Sequence, residues 1–352
     1  MRATLIHGPR DIRVEDCPDP VLLADTDAIV KVGAACVCGS DLWPYRGINP
    51  TPEPRRIGHE FIGTVTALGS KVATLKVGDF VVAPWANSCG TCPPCRNGVQ
   101  VACEHRASWG GNDENGLPVD GGQGEAVRVP NADGTLVPVP GVTDPDEALS
   151  KSLLALSDVM GTGHHAALGA RVAPGRSVVV VGDGAVGLCG VLAAKRLGAT
   201  RIIAMSRHAD RAALAREFGA TDVVAERGAE AAVKVRELLG GVLADSVLEC
   251  VGTAEAMDQA LRCTRPGGSL GFVGVPHGQD GLPISVLFSK NISVAGGAAS
   301  TRAYLPELLE DVLAGTINPG LVFDTVMGLE QVPEAYRAMD ERRSIKVMLK
   351  LG

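Results

Sequence analysis

Short runs in which apolar and polar residues alternate mark the first part of the chain. Residues 28–32, 61–68 and 79–83 carry this period-two pattern, and Gly and Pro residues lie between the runs. Alternation with a period of two is typical of strands that bury one face, and Gly and Pro favour the turns that join such strands. The pattern continues to about residue 150 and predicts a β-rich domain of antiparallel strands.

The pattern changes after about residue 176, where the apolar runs become continuous. Between them lie amphipathic, Ala-rich stretches that predict helices at residues 188–197, 211–218 and 254–265. Short apolar strands that alternate with helices are typical of βαβ units, in which a parallel sheet is covered on both faces. This second region therefore predicts a doubly wound α/β domain. Its strands are expected at residues 178–181, 202–205, 222–225, 246–250 and 270–275.

The length and composition limit the class of protein. A chain of 352 residues indicates two domains, and its last part adds a predicted helix at 304–314 and a strand at 345–351, without internal repeats. Hydrophobic residues at 45% and charged residues at 21% exclude disorder for most of the chain. A net charge of −7 offers no positive field for nucleic acid. Because no apolar run approaches the roughly 20 residues that span a bilayer, we expect a soluble, cytoplasmic protein without membrane partners.

A glycine-rich motif lies between the predicted strand at 178–181 and the predicted helix at 188–197. Gly182, Gly184 and Gly187 form the pattern GxGxxG. In this position the first glycine permits a tight turn, the second allows the backbone to approach a pyrophosphate, and the third lets the helix pack on the strand. A glycine-rich turn without a ligand is the alternative, but the strand–turn–helix context favours dinucleotide binding.

Four of the ten cysteines lie within fifteen residues, at spacings of three, three and eight. Disulfide frameworks are typical of small exported domains, whereas this chain is long and shows no export signal. Four thiolates at these spacings can surround one tetrahedral Zn²⁺ and leave no position open, which is typical of a structural site. The alternative is a set of four unrelated buried thiols. The predicted ligands of a structural zinc are Cys89, Cys92, Cys95 and Cys103.

A second group of polar residues is dispersed along the chain. It comprises Cys-Gly-Ser-Asp at 38–41, Gly-His-Glu at 58–60, and Asp158. Taken singly, Cys38 is explained as a small buried side chain, His59 as a core histidine and Asp158 as a helix cap. Together with the four-cysteine segment and the glycine motif, in this order and at these separations, they make the chain resemble the zinc-dependent medium-chain alcohol dehydrogenases over essentially its whole length.

The resemblance implies two domains and two zinc ions per subunit. Residues 1–150 and 300–352 would form a chaperonin-10-like catalytic domain, and residues 151–299 a Rossmann dinucleotide-binding domain. One zinc would be structural and the other catalytic. Thr162 matches a contact to the nicotinamide.

The resemblance also assigns roles around the catalytic zinc. Cys38, His59 and Asp158 match its ligands, Glu60 matches a neighbouring carboxylate that can enter the coordination shell, and Asp41 matches the acid that holds the ligating imidazole. Three protein ligands leave one position for water or a substrate oxygen. An aspartate at the third ligand position, where many relatives have cysteine, is the pattern of certain bacterial secondary-alcohol and formaldehyde dehydrogenases.

Residues on the substrate side follow from the same resemblance. Ser40 matches a hydroxyl that reaches the zinc-bound oxygen and passes on its proton, although a hydroxyl in a turn explains it equally without the family. Relatives often carry a histidine three residues later, where this chain has Trp43, so the proton relay runs through water or the ribose hydroxyls, or the preferred substrate differs. Trp43, Trp85 and Trp109 are predicted to line an apolar pocket; core filling is the alternative.

The residues after the predicted strand at 202–205 bear on the choice of cofactor. An NAD-selective site carries a carboxylate here to bind the ribose hydroxyls, whereas this chain has Ser206, Arg207 and His208. Hydroxyl, guanidinium and imidazole can all donate to a 2′-phosphate, although a solvent-exposed turn is the alternative. We predict that NADP is preferred to NAD, and that Ser206→Asp with Arg207→Ile inverts this preference.

These inferences predict a zinc-dependent oxidoreductase that transfers hydride between a primary or secondary alcohol and NADP, and that reversibly reduces aldehydes or ketones. Two alternatives remain open. One is a formaldehyde or aldehyde dismutase-type enzyme with a tightly bound cofactor, and the other is a non-enzymatic NADPH-binding protein of the same fold. Residues 291–297 predict an edge strand that pairs with its own copy, and the resemblance likewise implies a homodimer or homotetramer.

Overall fold

The chain divides by its internal contacts into two units, described from a computed structural model that covers residues 1–48, 54–277 and 281–351. Unit 1 comprises Met1–Asp158 and Ser300–Gly352, and unit 2 comprises Val159–Ala299. The strands in these ranges are β1 (Arg2–Gly8), β2 (Asp11–Asp16), β3 (Ala28–Cys36), β4 (Arg55–Arg56), β5 (Phe61–Leu68), β6 (Phe80–Ala83), β7 (Ala126–Val129), β8 (Val137–Pro138), β9 (Ser177–Val181), β10 (Arg201–Met205), β11 (Asp222–Val224), β12 (Ala244–Glu249), β13 (Thr264–Phe272), β14 (Ser293–Gly296), β15 (Thr325–Gly328) and β16 (Val347–Lys350).

The helices in the same ranges are α1 (Leu42–Tyr45), α2 (Pro93–Arg96), α3 (Ala132–Thr135), α4 (Glu147–Ala155), α5 (Val159–Gly169), α6 (Ala185–Arg196), α7 (Ala209–Phe218), α8 (Gly228–Leu238), α9 (Ala254–Cys263), α10 (Ile284–Lys290), α11 (Thr301–Leu313) and α12 (Val332–Asp340). Single 3₁₀ turns lie at Gly39–Asp41, Gln100–Ala102, Pro319–Val322 and Leu329–Gln331. Within the described ranges, no helix is both long and apolar enough to cross a membrane.

Unit 1 is built on a seven-stranded sheet in the order β15-β16-β3-β5-β6-β8, with β7 also paired to β3. A smaller sheet has the order β2-β1-β4. The pairs β3–β5, β3–β7 and β5–β6 are antiparallel. Along β3, Val30 and Val32 are fully buried and Lys31 between them is exposed, because successive side chains of a strand point to opposite faces. The prediction of a β-rich antiparallel domain is confirmed.

The register of this sheet determines which loops lie next to one another at its end. Ala35 near the end of β3 lies opposite Phe61 at the start of β5, and Phe61 lies opposite Ala83 at the end of β6. Antiparallel pairing therefore places the exit of β3, the entry to β5 and the exit of β6 at one end of the sheet.

Unit 2 contains a parallel six-stranded sheet in the order β11-β10-β9-β12-β13-β14. Its central strand β9 is buried on both faces, with Val178, Val179 and Val180 at 0% exposure. The chain runs outward from β9 to β11 and then crosses back to β12, so the direction of winding reverses between β9 and β12. Ligands of doubly wound sheets bind at the carboxyl ends of the strands at such a reversal. The predicted Rossmann-type parallel sheet is confirmed.

One predicted boundary in unit 2 is wrong. The amphipathic stretch at 254–265 predicted a helix to its end, whereas α9 ends at Cys263 and β13 begins at Thr264. Pro266 explains the difference, because the residue before a proline is disfavoured in the helical conformation. Arg265 therefore lies in the strand, where its guanidinium pairs with Asp245 at 2.7 Å.

Candidate metal centres and cofactor site

Four potential metal ligands of unit 1 converge where β3 ends and β5 begins. Asp158, the last of these ligands in the sequence, follows Ser157, and hydrogen bonds of Ser157 attach this segment to the same end of the sheet. The Ser157 hydroxyl donates to the carbonyl of Phe61 at 3.4 Å, and its carbonyl accepts the N–H of Trp85 at 2.9 Å. The four side chains are Cys38, His59, Glu60 and Asp158.

The donor atoms of these four residues all lie within 4.8 Å of one another. Asp158 Oδ2 is 3.8 Å from Cys38 Sγ and 3.8 Å from His59 Nε2, and His59 Nε2 is 3.9 Å from Glu60 Oε1. Tetrahedral zinc with bonds of about 2.0–2.3 Å requires donor separations of roughly 3.3–3.8 Å. A thiolate, an imidazole and a carboxylate at these distances fit zinc in both chemistry and spacing.

Asp41 orients the imidazole in this cluster. His59 Nδ1 lies 3.3 Å from Asp41 Oδ1, so Nε2 faces the other potential ligands. The backbone N–H of Cys38 donates to Asp41 Oδ2 at 3.0 Å, which ties the acid to the turn that presents the thiol. Burial disfavours the charged imidazole, but the nearby Asp41 and Cys38 outweigh it and raise the pKa of His59 well above its usual value. The surroundings of His59 thus favour a positive charge at this position.

Glu60 forms a buried ion pair with Lys346, which sequence analysis missed. Lys346 Nζ lies 2.8 Å from Glu60 Oε1, and the two side chains are 2% and 0% exposed. Burial raises the pKa of Glu60, and the ammonium of Lys346 partly offsets this effect. Glu60 Oε2 is buried and has no hydrogen-bond partner in the described part of the chain. The oxygen that Lys346 anchors, Oε1, is also the one that lies 3.9 Å from His59 Nε2.

The four cysteines of the other predicted site also meet in unit 1. The Sγ atoms of Cys89 and Cys95 are 4.0 Å apart, and those of Cys92 and Cys103 are 3.9 Å apart. Backbone N–H groups approach the sulfurs, including that of Cys92 toward Cys89 Sγ at 3.3 Å and that of His105 toward Cys103 Sγ at 3.3 Å. Burial raises the pKa of the Cys89 thiol, but hydrogen bonds from Thr91 and from the backbone of Cys92 outweigh burial and lower this pKa to about 6. Four thiols so arranged suit a closed tetrahedral zinc site.

The glycine motif of unit 2 forms the turn between β9 and α6. Gly182 has a φ of +118°, and Gly184 is the N-cap of α6. A Cβ at Gly187 would lie 2.0 Å from the carbonyl oxygen of Gly182, so only glycine fits this contact. A Cβ at Gly184 would meet no atom within 4 Å, which leaves room beside the helix N-terminus. The motif therefore has the geometry that a pyrophosphate requires.

The end of β10 lies beside this turn. Ser206 is buried, and its hydroxyl donates to Asp183 Oδ2 at 2.6 Å. Arg211 on α7 lies 3.6 Å from Asp183 Oδ1. A carboxylate that was not predicted thus lies near the expected ribose site, and the position of Asp183 inside the GxGxxG motif was the signal for it.

The loops after β10 and β11 carry further positive groups. Met205 pairs with Val224 at the ends of these strands, so the loop with Arg207 lies beside the loop with Arg227. Partial burial and the positive charge of Arg207 lower the pKa of Arg227. His208 is exposed and forms the N-cap of α7. Arg227, like Lys346 and Asp183, was not predicted from the sequence.

Comparison with known proteins identifies the family. The profile of the alcohol dehydrogenase GroES-like domain matches residues 24–141, and that of the zinc-binding dehydrogenase domain matches residues 185–314. Zinc-type alcohol dehydrogenase B of Aspergillus flavus is 33% identical over 360 residues, which cover 100% of this chain and 82% of that protein. The chain belongs to the zinc-dependent medium-chain alcohol dehydrogenases.

Two further similarities extend over the full length of this alcohol dehydrogenase family member. The solved structure of alcohol dehydrogenase TADH from Thermus sp. ATN1 has a TM-score of 0.89 and 31% identity, with 99% of each chain covered. Formaldehyde dismutase of Pseudomonas putida is 28% identical over 389 residues, which cover 99% of this chain and 97% of that protein. The predicted family and fold class are confirmed, and the chain is an oxidoreductase of this family.

The residues of this family member that are predicted to face the substrate lie in unit 1. Ser40 Oγ is 3.5 Å from His59 Nε2, and so lies at the metal cluster. Trp43 and Trp85 are half-buried in unit 1, and Arg46 lies 5.8 Å from the ring centroid of Trp43.

Trp109 lies in the core of unit 1, and Thr162 lies on a helix of unit 2. Trp109 packs edge-on against Phe61 at 5.2 Å in the core of the seven-stranded sheet. Thr162 lies on α5, beside Gly163. A Cβ at Gly163 would lie 2.5 Å from the backbone nitrogen of Gly190, so α5 and α6 are in close contact there.

Proposed function

We propose that the chain is a zinc-dependent alcohol dehydrogenase that transfers hydride between a primary or secondary alcohol and NADP, and that reduces aldehydes or ketones in the reverse direction. The observation that carries this proposal is the convergence of Cys38, His59, Glu60 and Asp158, with donor atoms within 4.8 Å. With Cys38, His59 and Asp158 as its three protein ligands, this site leaves one coordination position for substrate, unlike the four-cysteine site.

The residues of unit 1 take separate roles in this proposal. Cys38, His59 and Asp158 hold the catalytic zinc, which when bound polarises the hydroxyl or carbonyl oxygen of the substrate. Ser40, beside the imidazole, accepts and passes on the hydroxyl proton. Glu60, whose Oε1 lies 3.9 Å from His59 Nε2, can approach the metal. The structural zinc is held by Cys89, Cys92, Cys95 and Cys103. The half-buried Trp43 and Trp85 line the substrate pocket, whereas Trp109 packs against Phe61 and fills the core.

The test is a zinc analysis of the purified chain combined with a screen of primary, secondary and aromatic alcohols against NAD and NADP. We expect two zinc ions per chain and cofactor reduction with at least one alcohol class. One zinc per chain without turnover would instead indicate a non-enzymatic nucleotide-binding protein. The similarity to formaldehyde dismutase makes a dismutase-type enzyme the second candidate, and nicotinamide that remains bound through purification would favour it.

The charges around the end of β10 support the preference for NADP. The carboxylate of Asp183 accepts a hydrogen bond from the Ser206 hydroxyl at 2.6 Å, and its negative charge is offset by Arg211 at 3.6 Å. Arg207 and Arg227 then add two positive charges on adjacent loops. A 2′-phosphate would find charge-assisted donors there, whereas a ribose hydroxyl needs no such excess of positive charge.

Replacing both Arg207 and Arg227 by alanine is expected to lower kcat/KM for NADP by about 10- to 100-fold and to change that for NAD by less than about 3-fold. A hydrogen bond to a charged group contributes about 1.5–3 kcal/mol. Because both guanidinium groups are exposed and screened by solvent, we expect the pair together to contribute about 1.4–2.7 kcal/mol, which corresponds to this range. Steady-state kinetics with both cofactors measure it, and Arg216→Ala on the exposed side of α7 is the control. Equal efficiencies for NAD and NADP in the unmodified enzyme would contradict the assignment.

Asp183 affects the double variant that is predicted to invert the preference for NADP over NAD. Ser206→Asp with Arg207→Ile would place a second carboxylate against Asp183, where the two like charges repel each other. Adding Asp183→Ala removes this conflict and leaves a single carboxylate at the end of β10.

We also propose that the enzyme is a cytoplasmic homodimer or homotetramer. β14 is the edge strand of the parallel sheet, and an edge strand can pair with its own copy across a two-fold axis. The preceding helix α10 exposes Ile284 and Phe288, at 67% and 84%. The ten cysteines form no disulfides.

Light scattering at micromolar concentration is expected to show at least a dimer. Phe288→Glu should shift the enzyme toward the monomer because it places a charge beside the proposed interface. Val233→Glu, at an exposed position of α8, should leave the assembly unchanged. A monomeric unmodified enzyme would disprove the proposal.

A further inference from the structure

We propose that Gln123 is a positioning residue for the metal-binding imidazole, and that it acts through Asp41. The inference rests on the proposed zinc at Cys38, His59 and Asp158. Gln123 lies in the loop before β7, more than sixty residues beyond His59 in sequence, and it is completely buried.

The side-chain –NH₂ group of Gln123 makes two hydrogen bonds. Nε2 donates to Asp41 Oδ2 at 3.3 Å and to the backbone carbonyl of Cys36 at 3.0 Å. Asp41 Oδ2 also accepts the N–H of Cys38, and Asp41 Oδ1 faces His59 Nδ1 at 3.3 Å. Asp41 is 5% exposed. The acid that orients the imidazole is therefore itself held by Gln123.

Tyr336 determines which way the amide of Gln123 points. Its hydroxyl donates to Gln123 Oε1 at 3.1 Å, and Tyr336 is 0% exposed on helix α12. The carbonyl of Cys36 can only accept, so the –NH₂ group must face it, and the amide oxygen must face Tyr336. The two contacts agree on one orientation. The hydroxyl of Tyr336 is thus the far end of a chain of contacts that reaches His59.

The backbone at Gly58, directly before His59, lies in close contact with the side chain of Gln123. Gly58 has a φ of +102°, and a Cβ there would lie 2.6 Å from the Cγ of Gln123. Gln123 also donates its backbone N–H to the carbonyl of Ile57 at 3.1 Å. Gln123 therefore contacts the metal-binding segment through both its backbone and its side chain.

This arrangement predicts that Gln123 controls how tightly the catalytic zinc is held. Residues that hydrogen-bond directly to metal ligands typically change metal affinity by about 10- to 100-fold. Because Gln123 acts one residue further from the metal, Gln123→Leu is expected to accelerate loss of the catalytic zinc by about 3- to 10-fold. The zinc of the four-cysteine site should be lost at an unchanged rate.

The experiment follows zinc release from the holoenzyme to a coloured chelator, in which the open site and the closed four-cysteine site give separate phases. Gln123→Leu is compared with Gln259→Leu, the same change at a glutamine of unit 2 that is 3% exposed and hydrogen-bonded to Gly228. Both variants should lower the melting temperature, but only Gln123→Leu should accelerate the fast phase. Tyr336→Phe, which removes one hydroxyl and keeps the ring, should accelerate it by about 2-fold.

An unchanged fast phase in Gln123→Leu, with a melting temperature lowered as in Gln259→Leu, would show a purely structural role and overturn the inference. If Gln123→Leu does not fold, an unchanged fast phase in Tyr336→Phe has the same consequence. A holoenzyme with no fast phase at all would overturn the proposed function, and this inference with it. These outcomes are distinguishable because zinc release is measured without turnover.

Discussion

Asp158→Ala is expected to lower kcat by at least about 10³-fold while the fold survives. Lewis-acid stabilisation of developing charge contributes several kcal/mol, and each 1.4 kcal/mol corresponds to a factor of ten in rate. Asp158 Oδ2 lies 3.8 Å from both Cys38 Sγ and His59 Nε2, so its removal leaves the proposed site with a gap between two donors. Steady-state turnover, zinc content and circular dichroism of the purified variant measure the effect.

Removal of a ligand at the other proposed zinc provides the matched comparison. Cys92→Ser should lower the melting temperature and leave most of the turnover, because the four-cysteine site has no position for a substrate. The two variants should therefore separate stability from catalysis. Loss of stability with retained activity in Asp158→Ala would show that the open site is wrongly assigned.

Lys346→Met is expected to destabilise unit 1 by about 3–5 kcal/mol. The change leaves the carboxylate of Glu60, which is 0% exposed, without its partner at 2.8 Å, and a buried charge that loses its partner typically costs this much. The pKa of Glu60, already raised by burial, should rise further once the ammonium is gone. Unfolding in urea at fixed zinc concentration measures the loss.

A double variant and a surface control test the cause. Glu60→Gln combined with Lys346→Met should recover much of the stability, because it removes the unpaired charge. Lys350→Met, four residues further along the chain, removes an ion pair with Glu147 in which the side chains are 50% and 47% exposed, and should cost less than about 1 kcal/mol. If Lys346→Met is no more destabilised than Lys350→Met, the buried pair does not contribute as described.

Features carried by neighbouring residues could be predicted from the sequence. The four cysteines lie within fifteen residues and fold onto one another through short turns, so their spacing alone indicated a common site. The GxGxxG motif likewise followed from a strand, a turn and a helix in direct succession. The period of the hydrophobic pattern distinguished the antiparallel strands of unit 1 from the buried parallel strands of unit 2, because one face is exposed in the first case and none in the second.

The dispersed metal cluster was predicted only by its resemblance to a family. Cys38 and Asp158 are separated by 120 residues. Nothing in the local pattern around either residue distinguishes it from a buried thiol or a helix cap. The register of β3 against β5, with Ala35 opposite Phe61, brings Cys38 to His59, and the hydrogen bonds of Ser157 to Phe61 and Trp85 bring Asp158 to the same end of the sheet.

Contacts between residues far apart in sequence were decided by the tertiary structure alone. Lys346 is 286 residues from Glu60, and Tyr336 is 213 residues from Gln123. Asp183 and Ser206 meet because β9 and β10 are adjacent parallel strands. A lysine, a glutamine or an aspartate has no periodic signal of its own, and its partner is set by strand pairing and helix packing. Sequence by itself therefore determined the family, the fold class and the candidate ligands, and only the folded chain determined which groups hold those ligands in place.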